Sequence, residues 1–159
     1  MSFNLNVSYK GKKTVAETTA APTIRFPKQE GMYYTILMYD PDAPAGVWCH
    51  MLKMNVSSGD EHGDVLMSYV GPSPPAGSGL GPQGTHRYIT SVYEQHGYVD
   101  SLPTYGTRAK FDVDRLVATY HLQLLGSSTF TVDAVAAQGG KRRKTRKIVR
   151  RRKSKKQPL

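Results

Sequence analysis

The chain has 159 residues, with 22 Lys or Arg against 12 Asp or Glu and a formal net charge of +10 at pH 7. This length suits one domain with a substantial core, and no apolar run approaches the roughly 18–20 residues of a membrane-spanning helix. The opening segment lacks the apolar stretch of a signal peptide, and Cys49, the single cysteine, excludes a disulfide within the chain, so we predict an intracellular, cytoplasmic protein.

The positive charge is concentrated near the C-terminus. Of the 16 residues in 141–156, 12 are Lys or Arg, and removing them leaves 10 basic and 12 acidic residues, a net charge of −2, in 1–140. The adjacent glycines at 139 and 140 predict a joint there. We therefore expect a folded domain over 1–138 and a flexible basic tail over 139–159.

The first predicted elements are β-strands. Residues 1–30, interrupted by prolines, predict short edge strands and loops. Residues 32–39 (MYYTILMY) and 49–56 (CHMLKMNV) predict two strands of a core. Strict alternation in the second strand would place four side chains on one face: His50, Leu52, Met54 and Val56.

A segment rich in glycine and proline, 71–84 (GPSPPAGSGLGPQG), predicts neither helix nor a strand inside a sheet. Residues 86–95 (HRYITSVYEQ) predict a third strand, 113–120 a short helix with Asp112 as N-cap, and 130–132 a last strand. Strands joined by such loops favour a mostly antiparallel β domain, a sandwich rather than a parallel α/β sheet.

Polar and aromatic groups recur where the predicted strands begin or end. These positions carry two carboxylates, two imidazoles, an indole and a phenol: Asp40, Asp42, His50, His86, Trp48 and Tyr88. If the strand ends meet, the groups form a cleft that the 71–84 segment walls on one side. Each also has a structural interpretation, because Asp-Pro pairs are common in turns and strand histidines are usually structural.

Five motifs, in this order, resemble the phosphatidylethanolamine-binding protein family: DPDAP at 40–44, WxH at 48–50, GPxPPxG at 71–77, HRY at 86–88 and VYEQ at 92–95. That family includes Raf-kinase inhibitor proteins, the carboxypeptidase Y inhibitor and plant flowering-time proteins. The resemblance implies an antiparallel Greek-key β-sandwich with one or two short peripheral helices.

The resemblance also implies a pocket at one end of the large sheet for phosphate-type anions or phospholipid headgroups. Carried over by motif, its ligand-binding residues are Asp40, Asp42, Pro44, Trp48, His50, Ser73, Pro74, His86 and Tyr88. Ser73 replaces a family glycine whose backbone helps to hold the anion, so its hydroxyl is an alternative donor. The Ala43–Pro44 bond is cis in family members, which implies a cis bond here.

The resemblance implies a non-enzymatic binding protein that regulates protein partners such as kinases or proteases. We predict no cofactor, and no metal site either, because His50 and His86 are not part of an HExxH or CxxC spacing. Two arrangements of the aspartates are open. Two close carboxylates raise one pKa, so a protonated Asp would donate a hydrogen bond to phosphate. Alternatively both stay charged, one fixing a histidine tautomer and the other capping a loop. We favour Asp40 near the ligand and Asp42 in a mainly structural role.

The basic tail has a separate interpretation. Its stretches KRRKTRK and VRRRKSKK resemble nuclear-localisation signals, and its charge favours polyanions, although no aromatic residue is present for base stacking. The alternative function is therefore binding of nucleic acid, an anionic membrane or an import receptor through the tail, with nuclear import and a vestigial pocket. The targeting residues would be Lys141, Arg142, Arg143, Lys144, Arg146, Lys147, Arg150, Arg151, Arg152 and Lys153.

Overall fold

A computed structural model of the chain describes residues 2–135. Its elements, in chain order, are β1 (Asn6–Ser8), β2 (Thr23–Arg25), β3 (Tyr34–Asp40), β4 (Trp48–Val56), β5 (Asp64–Met67), β6 (His86–Glu94), α1 (Val113–Thr119) and β7 (Gln123–Val132). The described part is thus mostly β with one short helix, which confirms the predicted fold class. The predicted tail, 139–159, and its ten targeting residues lie outside this range.

The strands form two antiparallel sheets. β1 pairs with β2, and the other strands form a five-stranded sheet in the order β5-β4-β3-β6-β7. β3, β4 and β5 follow one another as a meander, and the connection over 68–85 then returns the chain to the free side of β3, where β6 pairs. A fourth strand that lies beside the first defines a Greek key, as the resemblance implied.

Hydrophobic cores cover both faces of the five-stranded sheet. Along β3, Ile36 and Met38 point into a first core, which the β1–β2 hairpin and the N-terminal segment cover. Leu37, between them, points into a second core with Leu116 of α1. Because alternate residues of a strand face opposite sides, a strand buried on both faces is apolar at nearly every position, as β3 is.

The helix begins where the sequence predicts. The Asp112 carboxylate accepts a hydrogen bond from the backbone N–H of Arg115 at 3.0 Å, which is the expected N-cap geometry. Such a cap stabilises a helix by about 1 kcal/mol. Leu116 alone among the seven helical residues is fully buried, so α1 is held to the sheet mainly by this side chain and its partly buried neighbours.

The single face predicted for β4 is wrong. The pairing with β3 skips a residue at His50 and shifts again before Val56. Asn55, at the second irregularity, has a left-handed backbone with φ of 58°. Each bulge adds one residue and so changes the face of the residues beyond it. As a result Leu52 and Met54 pack in the second core, whereas Val56 packs in the first.

Two strands differ from the prediction. β5 was not predicted, since its four residues follow directly on a polar loop. β7 has ten residues, Gln123–Val132, whereas the sequence predicted only 130–132. Its middle contains a glycine and two serines, Gly126–Ser128, which give no strand signal. Pairing with β6 along the whole length decides the structure there, because context outweighs propensity in strands.

Candidate functional site

The corner between β3 and β4 is a tight turn with a trans proline. The Gly46 N–H donates to the Ala43 carbonyl at 3.0 Å, and Gly46 has a φ of 93°, which suits glycine. All peptide bonds within residues 2–135 are trans, so the cis Ala43–Pro44 bond that the resemblance implied is wrong for this structure. Pro44 is the second residue of this four-residue turn, a position that favours proline. Gly46, the fourth residue, completes the change of chain direction without a cis bond.

A cavity of about 370 Å³ opens beside this corner, where the ends of β3, β4 and β6 meet. Eight of the nine predicted ligand-binding residues line it: Asp40, Pro44, Trp48, His50, Ser73, Pro74, His86 and Tyr88. Asp42 does not line it. The strand ends and the 71–84 segment therefore do come together, as the sequence predicted.

Asp40 and His86 form a buried pair at the base of the cavity, which we call the floor pair. Asp40 Oδ2 lies 2.6 Å from His86 Nδ1, and the side chains are only 5% and 1% exposed. The second carboxylate oxygen of Asp40 accepts from the Asp42 N–H at 2.7 Å. The second ring nitrogen of His86, Nε2, lies 2.7 Å from Ser78 Oγ.

The hydrogen bonds around His86 fix the charge of the floor pair. The Ser78 hydroxyl has one proton, which it donates to the Pro75 carbonyl at 2.6 Å. Its oxygen must therefore accept from an Nε2–H of His86. One further proton lies between Nδ1 and Asp40. Whether it belongs to the ring or to the carboxyl group, the pair has no net charge.

Asp42 forms a second ion pair with Arg87 outside the cavity, which we call the rim pair. The carboxylate accepts from Arg87 Nη2 at 2.8 Å, from Nε at 3.0 Å and from the backbone N–H at 2.8 Å. The side-chain hydrogen bonds from Arg87 are the main reason why the pKa of Asp42 is lowered. This geometry supports a structural role for Asp42, which holds the start of β6 against the turn.

His50 is a neutral hydrogen-bond acceptor in the cavity wall. Its Nδ1 lies 2.6 Å from the Val70 carbonyl, which can only accept, so Nδ1 has the proton. Burial is the main cause that lowers the pKa of His50, while this hydrogen bond opposes the shift. The ring also packs against Trp48 and Tyr88, with centroids 4.6 and 5.1 Å away. Nε2 therefore offers a lone pair.

Tyr88 supplies a hydrogen-bond donor to the cavity. The residue is 1% exposed, and burial raises the pKa of its phenol, which stays protonated at neutral pH. Its ring stacks on Phe130 with centroids 5.5 Å apart. Within the part of the chain that the structure describes, its hydroxyl has no hydrogen-bond partner. The phenol is thus held rigidly while its O–H stays available.

Three residues with a part in the site were not predicted. Val70 acts through its backbone carbonyl, and Ser78 directly follows the 71–77 motif but is not part of it, so neither had a signal of its own in the sequence. Arg108 lies behind the wall, 5.6 Å from the Trp48 ring, and its Nη1 donates to the Cys49 and His50 carbonyls at 3.3 and 3.2 Å. Arg108 lies outside the five motifs quoted above.

The thiol of Cys49 lies away from the cavity. Cys49 is fully buried in the second core, on the other face from His50, and burial raises the pKa of its thiol to about 12. Among residues 2–135, no three His, Cys, Asp or Glu side chains are close enough to hold a metal ion together. No helix in this range has the length and apolar character needed to cross a membrane.

Comparison with known families agrees with this geometry. A family model described as phosphatidylethanolamine-binding protein matches residues 2–134. The match extends over both sheets, the helix and all the residues that line the cavity, and it ends before the basic segment. The match supports a binding-protein role, and the chain belongs to the phosphatidylethanolamine-binding protein family.

Proposed function

We propose that the cavity binds a phosphate-type anion, free or in a phospholipid headgroup, and that the protein is a non-enzymatic regulator of protein partners such as kinases or proteases. The observation that carries the proposal is the Tyr88 hydroxyl, which has no partner among the described residues, beside the buried floor pair. A lone buried carboxylate would repel an anion. Paired with His86, Asp40 presents no net charge to it.

The 71–75 wall offers few further donors, and they are specific. Pro72, Pro74 and Pro75 have no backbone N–H, so Gly71 and Ser73 supply the backbone donors of this segment, together with the Ser73 hydroxyl. Trp48 also lines the cavity and has an indole N–H. These donors suit the several oxygens of a phosphate group, which accept hydrogen bonds from different directions.

His50 favours a ligand that brings a proton. Its Nε2 lone pair would repel a phosphate dianion but would accept from the O–H of a monoanion. The same nitrogen can also take up a proton when a dianion binds. In either case binding is coupled to one proton, so we expect affinity for phosphate to rise as the pH falls below neutrality.

Apolar walls, and the absence of an activated nucleophile beside the cavity among residues 2–135, favour binding over catalysis. Ala43, Pro44 and Pro74 surround the polar base, which suits the carbon atoms of a phosphate ester, and the volume is in the range typical of small-molecule sites. The thiol of Cys49 faces the opposite core. Within the described residues, no serine or cysteine beside the cavity has a histidine oriented as its base, because Ser78 donates to a carbonyl.

Calorimetric titration with inorganic phosphate and phosphoethanolamine tests the proposal. Tyr88→Phe removes only the free hydroxyl, and we expect affinity to fall roughly 10- to 100-fold, as for a hydrogen bond to a charged group. Asp40→Ala and His86→Ala should abolish binding, with circular dichroism reporting that the domain is folded. Tyr98→Phe, an exposed tyrosine away from the cavity, is the matched control. Unchanged affinity in Tyr88→Phe and Asp40→Ala would remove the cavity from consideration.

The charge of the tail favours polyanion binding as a second function. Twelve basic residues within 141–156 would neutralise several phosphates at once, and such binding weakens steeply with salt. Changing the basic residues of 141–144 and 150–153 to Gln in the full chain should remove binding to duplex DNA and to phosphatidylserine vesicles, while phosphate affinity is unchanged. Retention of DNA and vesicle binding by this variant would refute the second function.

A further inference from the structure

A small hairpin covers one side of the floor pair. Leu80 and Thr85 exchange backbone hydrogen bonds of 2.7 and 3.1 Å across the turn at 81–84. Gly79, before the hairpin, has a φ of 73°, and a Cβ atom there would lie 2.4 Å from His86 Cδ2. The backbone of the segment therefore lies directly against the imidazole, which brings Ser78 onto its edge.

The hairpin is anchored to the end of β7. The Ala134 N–H donates to the carbonyls of Gln83 and Gly84 at 3.1 and 3.2 Å, and the Thr85 hydroxyl donates to Asp133 at 2.5 Å. The contact between Ser78 and His86 is thus part of a segment with its own hydrogen bonds at both ends. It is built into the fold and is not the chance position of one exposed side chain.

His86 has no free N–H for a ligand in this arrangement. It lines the cavity, but its Nδ1 faces Asp40 and its Nε2–H donates to Ser78 Oγ. We propose that Ser78 occupies the position that a ligand oxygen would take on His86, and that this hydroxyl is an internal competitor which sets the affinity of the cavity for phosphate. The inference rests on the proposed phosphate site.

The competition makes Ser78 a specificity-determining residue. A ligand whose oxygen needs the His86 N–H must first displace the serine hydroxyl, whereas a ligand bound through Tyr88 and the apolar walls need not. Removing the hydroxyl should therefore strengthen binding, which is the opposite of what loss of a ligand-contacting residue does. The sign of the change distinguishes the two roles.

Titration of inorganic phosphate into the full-length protein tests this inference. For Ser78→Ala we expect roughly five- to tenfold tighter binding than for the wild type, the effect of one neutral hydrogen bond. Ser78→Thr keeps a hydroxyl and should bind as the wild type does. Gln83→Ala, an exposed side chain of the same hairpin, is the matched control and should leave affinity unchanged.

The outcomes separate the inference from the function on which it rests. Wild-type binding with equal or weaker binding by Ser78→Ala would overturn the competitor role and leave the phosphate site standing. Absence of binding in both proteins would overturn both. Binding by Ser78→Ala alone would support both. Nitrogen-15 spectra of the wild-type imidazole give an independent measurement, since an unprotonated Nε2 in His86 would contradict the inference even if the variant did not fold.

Discussion

The floor pair and the rim pair place the same chemistry in opposite surroundings. In each, a carboxyl group of the DPDAP corner meets a basic side chain from the start of β6, at 2.6 Å for Asp40 and His86 and at 2.8 Å for Asp42 and Arg87. His86 and Arg87 are neighbours in a strand, so one points inward and the other outward. The His86 side chain is 1% exposed and that of Arg87 is 47% exposed.

The difference shows which pair is tied to the cavity. A buried charge that loses its partner cannot be compensated by water, whereas an exposed guanidinium can. The floor pair is therefore an all-or-none unit, in which either side chain requires the other. The rim pair is a local clamp that water and salt weaken. Three experiments test this contrast, in order of decreasing effect.

Breaking the floor pair should have the largest effect. Asp40→Ala leaves His86 buried without its carboxylate, and His86→Ala leaves the carboxylate alone. Either should lower the free energy of unfolding in urea by about 3–5 kcal/mol. The double variant should lose clearly less than the sum of the two, because the second change removes an already unpaired group. A loss below about 1 kcal/mol in both single variants would make the floor pair equivalent to a surface pair.

His50 in the cavity wall should make the free energy of unfolding depend on pH, an effect of intermediate size. The pKa of His50 is lowered by burial, and the groups that face it are Asp40, His86, Arg108 and the Val70 carbonyl. In the unfolded chain His50 takes up a proton near its ordinary pKa of 6.5, whereas in the folded state it does so only at a lower pH. Stability should fall as the pH drops below 6.5, by at most about 1.4 kcal/mol per pH unit, until the folded-state pKa is reached.

A variant isolates this contribution from the other histidines. His50→Gln keeps a polar side chain without a titrating ring, so its stability should vary less with pH than that of the wild type in the same window. Urea unfolding at several pH values from neutral to mildly acidic gives the difference directly. Parallel curves for the two proteins would show that His50 does not resist protonation.

Breaking the rim pair should have the smallest effect on stability. Arg87→Ala removes an exposed guanidinium but leaves Asp42 the hydrogen bond from the backbone N–H of residue 87, and Arg87→Lys keeps the charge but not the paired contact. The pKa of Asp42 in the folded state lies below the ordinary 3.8. The stabilisation of the fold by the rim pair is therefore fully present above pH 3.8, and it disappears as the pH falls through the folded-state pKa.

We compare the free energy of unfolding of the wild type with that of Arg87→Ala. The two proteins are measured at neutral pH and in strong acid, each at low and high salt. The small difference at neutral pH should shrink in salt and vanish in acid. A difference as large as that of Asp40→Ala, or one that persists in acid, would mean that the rim pair is also part of the buried unit.

Much of the fold could be predicted because several segments have unambiguous local signals. The apolar run at 32–39 and the alternation at 86–95 correspond closely to β3 and β6, and Asp112 marks the start of the helix. The residues at the cavity were predicted for a related reason. The end of β3 meets the starts of β4 and β6 because both strands run antiparallel to β3 on its two sides.

Local signals do not determine irregular pairing or contacts made by loops. The bulges at His50 and Asn55 depend on which residues of β3 lie opposite, so the faces of β4 could not be assigned from alternation. Ser78 contacts His86 because the short hairpin between them folds back, and no motif encodes that contact. The trans bond before Pro44 likewise follows from the turn that Gly46 completes.

The large sequence separation between the two residues of the floor pair affects the order in which the protein folds. Asp40 and His86 are 46 positions apart, and the connection over 68–85 must cross before β6 can pair with β3. Contacts of such long range form late and slowly, because the loop must close before they contribute any stability. Partly folded chains with only the β3–β4 hairpin would have no cavity. A ligand should therefore slow unfolding of the finished domain and leave the early steps of folding unchanged.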